Sequence, residues 1–412
     1  MHTKKNIVIL STMYYPDMSA PSAVVDKYVK KLEDKYNFYI ITKTYLPGIN
    51  NQNRIHYIST WFHKLQIKCE NNIREKKNLR INKLIHYALD AYKLLINQFS
   101  YPLFNSWEID AYYNGLEQLS KKIKIDAIIS VANTWTCQFA AKKYKIQHPG
   151  TKWISFILDP FSQYYIYYQY KLFKSYWKKR NIKNERLIYN TADYLLFSEE
   201  MYKFAIGKFN VSKDKAFNIG FALDNIRKDK NTKILSSNGP VNMIYAGMLY
   251  QKIRNPKFML ETLNKVDNVN VDLFVDRCEC EDLLASNVSN KIHRYPFVDR
   301  NRYEQMICDE YDILLIIGNI STLQAPSKTL ELLSTGRPII HFYYVKDSQY
   351  EMIENYPLGL NIANGDPEAV SKISEFCKNV RGKFLSFEEI LKLYPEHSLD
   401  KKTELLETLI ER

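Results

Sequence analysis

The sequence predicts an α/β protein built from two doubly wound parallel-sheet domains. Three observations predict it. Apolar runs of strand length alternate with stretches whose apolar residues recur at helical spacing. A single polar tract, 223–239, interrupts that alternation, which then starts again. The 412 residues also fit two domains of roughly 100 to 200 residues each.

In chain order, Asn6 to Ser11 reads as a buried strand. Val24, Val25, Tyr28, Val29 and Leu32 then recur at helical spacing before a second strand, Phe38 to Thr42. Strand, crossover helix and strand of this length close as a right-handed parallel unit. The apolar runs Ala127 to Val131, Lys152 to Leu158 and Tyr194 to Phe197 extend the sheet and give a first domain over 1–222. The tract 223–239, with Asp224, Asn225, Ser236, Ser237, Asn238 and Gly239, is the expected linker. A second domain over 240–395 follows, with strands at Val241 to Ala246, Val269 to Val275, Ile313 to Ile317 and Pro338 to Phe342. Its helices are expected near Pro256 to Val266, Tyr303 to Asp309 and Ser327 to Thr335, and a last helix near 396–412 is expected to pack back on the first domain. Two such Rossmann-like domains, facing each other, would set a cleft between the carboxyl ends of both sheets, where ligands of these folds bind.

Composition narrows the classes. Hydrophobic residues at 46%, with 12 Gly and 14 Pro, exclude collagen-like and low-complexity chains. Six scattered cysteines are too few to staple this length, so a reducing, intracellular context is expected. Cys278 and Cys280 form one C-x-C with no second pair at zinc-ligand spacing, and no metal site is expected. Lys4 and Lys5 precede only the short apolar run Ile7 to Leu10, which reads as a core strand rather than a signal peptide. No run of about 18 apolar residues is present to span a bilayer.

The stretch from Ala325 to Pro338, APSKTLELLSTGRP, concentrates chemistry. Pro326 and Ser327 suit a helix start, whose free N–H groups near Ser327 and Lys328 would meet an anion. A lysine at that end is disfavoured by the helix dipole, and a bound phosphate would compensate it. Glu331 falls on the same face as Lys328, where it would accept hydrogen bonds from ribose hydroxyls or simply pair with the lysine in solvent.

That stretch resembles the P-S-K-x-x-E signature of family 4 glycosyltransferases of the GT-B fold. Tyr245-Ala246-Gly247-Met248-Leu249-Tyr250 with Arg254-Asn255-Pro256 resembles the first strand, loop and helix of the same family's donor domain. Ile188 to Ser198 resembles the helix-to-strand segment that closes its N-terminal domain. The resemblance implies that Gly247, Arg254, Ser327, Lys328 and Glu331 bind a nucleotide-sugar donor, Arg254 and Lys328 at the diphosphate and Glu331 at the ribose. It also implies retention of anomeric configuration. Fixed cations at the leaving diphosphate make a metal unnecessary, so no cofactor beyond the donor is expected. Three departures stand out. Leu323 occupies the first glutamate position of the family's E-x7-E pattern, Met248 stands where many members carry arginine, and the loop Asp17 to Ser22 lacks paired glycines.

On the acceptor side, Asp159 follows an apolar strand and is a candidate to orient a hydroxyl or act as a base, or to cap the turn before Pro160. Asn133 and Thr134 end another strand, and Ser19 and Ser22 lie in the first loop, as weaker acceptor-side candidates. Lys and Arg number 58 against 45 Asp and Glu, a formal +13. Much of the excess lies in two aromatic-rich stretches. Residues 61–105 hold eight Lys or Arg against three acids, and residues 163–190 hold seven against Glu185 alone. Basic residues mixed with interfacial aromatics suit an anionic membrane surface, although solvated helix faces use the same residues. Nucleic acid is not expected, because no recognisable nucleic-acid module is present. The expected function is a cytoplasmic, peripheral membrane hexosyltransferase for cell-surface polysaccharide, acting on a glycan or lipid-linked acceptor. A nucleotide-sugar epimerase or hydrolase, or a non-catalytic nucleotide-binding scaffold, is the alternative.

Overall fold

A computed structural model of the protein describes residues 4–15, 18–43, 54–99, 106–132, 134–163, 168, 172–226, 239–320 and 328–412. The chain divides into two compact units, Met1–Gly220 with Lys402–Arg412, and Phe221–Lys401.

The first unit contains β1 (Asn6–Leu10), β2 (Asn37–Thr42), β3 (Ile55–Tyr57), β4 (Ala127–Val131), β5 (Lys152–Ile157), β6 (Tyr194–Phe197) and β7 (Ala216–Asn218). Among the described residues they form one parallel sheet in the order β3-β2-β1-β4-β5-β6-β7. The second unit contains β8 (Val241–Ala246), β9 (Val269–Phe274), β10 (Ile292–Tyr295), β11 (Ile313–Ile317), β12 (Ile339–Tyr343) and β13 (Gly359–Ala363). These are also parallel, in the order β10-β9-β8-β11-β12-β13. The chain therefore reverses its direction of sheet growth between β1 and β4 in one unit and between β8 and β11 in the other. At such a switch point the loops leaving the two central strands diverge and open a crevice.

Central strands read as unbroken apolar runs because helices cover both faces. Ile7, Val8, Ile9 and Leu10 of β1 are wholly buried, as is every residue of β11. Three aspartates just ahead of strands close the sheet ends by the same device. Asp126 Oδ2 accepts from the Asn6 N–H at 2.9 Å, Asp193 Oδ2 from Trp153 at 2.7 Å, and Asp312 Oδ2 from Asn242 at 2.9 Å. Each carboxylate satisfies a donor at the start of a neighbouring strand that the ladder would otherwise leave open.

In the second unit the helix Lys328–Leu333 returns to β12 through Gly336, whose φ is +71°. A Cβ there would lie 1.8 Å from the Leu385 carbonyl oxygen, so both the dihedral and the space require glycine. Arg337 beside it is buried and donates Nε and Nη2 to the Cys308 carbonyl at 3.0 and 2.7 Å. The tract expected as a linker begins inside this unit. Leu223 is fully buried in its core, and the Leu223 N–H donates to the His397 carbonyl at 2.8 Å. Residues 227–238 of that tract lie outside the described residues. In the first unit, Lys5 and Lys152 both donate to the Ile410 carbonyl, at 3.2 and 2.8 Å, and Lys35 pairs with Glu407 at 2.7 Å.

The six cysteines are unpaired, five of them buried. No helix among the described residues is long and apolar enough to cross a membrane.

Candidate active site

The loops leaving β8 and β11 meet at the switch point of the second sheet. After β8 the chain turns at Gly247, whose N–H still donates to the Phe274 carbonyl at 3.3 Å. It then doubles back, Tyr250 and Arg254 exchanging main-chain bonds of 3.2 and 2.9 Å. That turn delivers the Arg254 guanidinium. Its Nε and Nη2 donate to Asn319 Oδ1 at 3.1 and 2.9 Å, and its Nη1 to the Met248 carbonyl at 3.4 Å. Asn319, buried just past β11, therefore holds the arginine in a fork, and the Ile320 N–H donates to the Ile253 carbonyl at 2.8 Å to clip the two loops together. A side chain at Gly247 would come within 3.3 Å of the Tyr245 hydroxyl and reach toward Arg254, so the glycine keeps this corner open.

Lys328 begins the helix Lys328–Leu333 and points back across β8. Its Nζ donates to the Ala246 carbonyl at 2.7 Å and lies 4.7 Å from the Tyr303 ring centre. Burial lowers its pKa to about 8. Arg300 and Arg254 push the same way, while Glu331 opposes them, so all four groups share one electrostatic environment. The solvated Lys328–Glu331 pair allowed by the spacing does not form. Glu331 is paired instead with Arg300, which also holds Glu304 at 2.5 Å.

Arg300 is the member of this group that the sequence reading missed. It stands at the start of the helix Arg300–Asp309, capped by Asp299, so it is a cation at a helix N-terminus just as Lys328 is. The same signal was present in both. Ser327 lies outside the described residues, as does Leu323.

The acceptor-side candidates belong to the first unit, in the segments that follow the neighbouring strands β1, β4 and β5. Ser19 caps the helix Ala20–Leu32, accepting from the Ser22 N–H at 3.3 Å. Ser22 is fully buried, and its hydroxyl joins Ser19 and Ser11, each at 2.7 Å, so it ties the end of β1 to the helix start. Thr134 donates to Thr136 at 3.3 Å, and Asn133 lies outside the described residues. Asp159 follows β5. Its carboxyl makes no hydrogen bond among the described residues, so the turn-capping role does not appear. It is exposed by area, yet surrounding protein atoms desolvate the carboxyl and push its pKa up to about 6.

No protein-family model matches the chain, and no curated protein sequence is similar to it. Solved structures do resemble it over its full length. The lipopolysaccharide outer core galactosyltransferase WaaB, in its apo form, superposes with a TM-score of 0.60 at 13% identity, covering 98% of this chain and 99% of its own. HepE of Anabaena, solved with UDP-glucose, gives 0.61 at 11% identity, covering 99% and 100%. A UDP-N-acetylglucosamine 2-epimerase gives 0.54 at 12% identity, covering 100% and 98%. Two parallel doubly wound sheets, each with its switch point, and likeness of this extent show that the chain has the GT-B fold, the architecture of these glycosyltransferases.

Proposed function

We propose that the protein transfers a sugar, with retention of configuration, from a nucleoside diphosphate donor to a hydroxyl of a lipid-linked glycan in cell-surface polysaccharide assembly. The observation that carries this reading is the gathering of Arg254 and Lys328 at the carboxyl ends of β8 and β11, with Arg300, from the helix that follows β10, and Glu331 beside them. When the bond between sugar and diphosphate breaks, its electron pair leaves on a phosphate oxygen. Fixed cations stabilise that developing charge without reorganising, so the reading needs no metal and no resident cofactor. Glu331, a carboxylate, suits ribose hydroxyls. Asp159, with its raised pKa and unused carboxyl, is read as the group that receives the acceptor proton. HepE's UDP-glucose makes a uridine-linked sugar the first donor to try.

The cytoplasmic face of an anionic membrane is read as the place of action. Support comes from the helix Lys174–Thr191, whose exposed residues include Lys174, Lys178, Lys179, Lys183 and Arg186, while its one acid, Glu185, is buried against Ser162 and Tyr189.

Thermal unfolding against UDP-, GDP- and ADP-sugars tests donor use, since a ligand at about 100 times its Kd adds roughly 2.7 kcal/mol of stability. Lys328→Ala should then lower acceptor-dependent release of the nucleoside diphosphate by about 10²- to 10³-fold. Wild-type turnover in that variant would refute the assignment. Likeness to the 2-epimerase favours a second reading, epimerisation of the nucleotide sugar. Product formed from donor alone, with no acceptor present, would select it.

A further inference from the structure

The first unit carries a groove of about 480 Å³ between the loop that follows β3 and the helix Ser106–Ser120. We infer that this groove, walled by Tyr57, Trp61 and Trp107 and edged by Asp110, Asn114 and Gln118, is a saccharide-binding site separate from the switch point of the second sheet. It concerns binding alone and does not rest on the transfer reading.

The lining combines two chemistries. Tyr57 and Trp61 supply aromatic surface from the segment after β3, and Trp107, one turn before Asp110 on the helix, meets Trp61 edge to face with centroids 5.9 Å apart. Trp61 is 58% exposed, a large area of indole to leave in water. Asp110, Asn114 and Gln118 lie at i, i+4 and i+8, so they form one ridge along the helix. Asn114 and Gln118 are exposed, and their amides make no hydrogen bond among the described residues. Asp110 Oδ1 accepts from Lys143 at 2.7 Å, its side chain is half exposed, and its Oδ2 makes no hydrogen bond among the described residues.

A sugar ring has the matching duality. Its C–H face is apolar and slightly positive and lies well on the negative face of an aromatic ring. Its rim carries neighbouring hydroxyls that pair with the donor and acceptor of one amide or with a carboxylate. The one charged group of the lining is the Asp110 carboxylate, already paired with Lys143, and no Lys or Arg lines the groove to hold a phosphate or nucleotide. The helix also breaks local rules here. Asn114 and Gly115 sit in its interior, where both are poorer helix formers than alanine. Gly115 is explained by packing, since a Cβ would lie 3.2 Å from Ile41 and 3.3 Å from Ile58. Asn114 has no packing reason, and a ligand supplies one.

The test is titration of the full-length protein, without nucleotide, with cellobiose, maltose, lactose and N,N′-diacetylchitobiose, following tryptophan emission. At least one disaccharide should give a saturable change with a Kd in the millimolar range, the strength of a few hydrogen bonds on an aromatic platform. The double substitution Asn114→Ala, Gln118→Ala removes two exposed amides and improves helix propensity, so it should fold with an unfolding midpoint no lower than that of the parent. It should bind the same sugar at least about tenfold more weakly. Equal affinity in that variant, or no saturable response to any of the four sugars, overturns the inference. So does a saturable response to a mixed peptide digest with none to a sugar.

Discussion

Lys328 donates its ammonium proton to the Ala246 carbonyl at 2.7 Å rather than to Glu331, one turn along its own helix. The charge is thus fixed at the end of β8, where burial lowers its pKa from 10.5 to about 8. A lysine held this way is poised for an anion, because an incoming diphosphate restores the stabilisation that desolvation removes. Binding of UDP near pH 8 should therefore take up a proton. Calorimetry in two buffers of different ionisation enthalpy measures that uptake, and its absence at pH 8 would remove Lys328 from the diphosphate site.

The same shift predicts a cost to stability. Because the folded-state pKa is depressed, the favourable contribution is present above 10.5 and is lost as pH falls through about 8. At pH 7 the buried ammonium therefore opposes folding. Lys328→Met should stabilise the unliganded protein at pH 7 by on the order of 1 to 3 kcal/mol, and much less at pH 10. Denaturant unfolding at the two pH values decides it. Equal effects at both would mean that packing, not charge, governs the change.

Arg300 is positioned to orient Glu331, and the two should behave as one unit toward the nucleotide. Arg300→Ala and Glu331→Ala should each weaken UDP binding. The double variant should lose less than the two losses added, with a coupling of about 1 to 3 kcal/mol. Strict additivity in calorimetric affinities would show that Arg300 acts on its own.

How far the sequence carried these conclusions depended on burial. All nine strands read from apolar runs are present, and they are the interior strands of the two sheets. The four unread strands, β3, β7, β10 and β13, are the four sheet edges among the described residues. An edge strand is covered less completely, so its sequence mixes polar with apolar residues, as in Ile292-His293-Arg294-Tyr295, and no buried run marks it. Gly247, Arg254, Lys328 and Glu331 could be picked out as candidates because a helix start, a turn glycine and a cation fall within short stretches. Arg300 escaped because the helix was expected to begin only at Tyr303, which hid the helix-start signal, and because its partner Glu331 lies 31 positions away. The aromatic groove escaped for the same reason, its walls coming from segments some fifty residues apart with no motif in either.

Gly336 offers a direct test of that local reading. Alanine would need a left-handed backbone and would press a methyl against the Leu385 carbonyl. Gly336→Ala should cost roughly 2 to 5 kcal/mol, from strain and overpacking together. An unchanged denaturation midpoint would show that the turn relaxes freely.

Desolvation by the surrounding protein pushes the Asp159 carboxyl up to about 6, within an accessible pH range. If it receives the acceptor proton, kcat/KM should rise with pH through about 6 as the carboxylate forms. Stability runs the other way, because a raised folded-state pKa contributes fully below the unfolded value of 3.8 and fades as pH rises through 6. Asp159→Asn should abolish that limb of the pH profile and lower turnover by about 10²- to 10⁴-fold. Survival of the limb in the variant would assign the proton to another group.

The cationic helix Lys174–Thr191 sets up the last expectation. Leu172, Phe173 and Tyr176 stand 67%, 80% and 60% exposed at its start, next to Lys174, Lys178 and Lys179. Each cation near an anionic headgroup layer contributes about 1 kcal/mol, and the contribution is screened beyond roughly 8 Å at physiological salt. Apolar side chains entering the interface add a term that salt does not screen. Flotation with vesicles containing phosphatidylglycerol should therefore show binding that falls with salt and with Lys178→Glu, Lys179→Glu. Phe173→Ser should weaken it at every salt concentration. Equal binding to neutral phosphatidylcholine vesicles would attribute attachment to the aromatics alone, and binding to neither would leave the helix a solvated basic face.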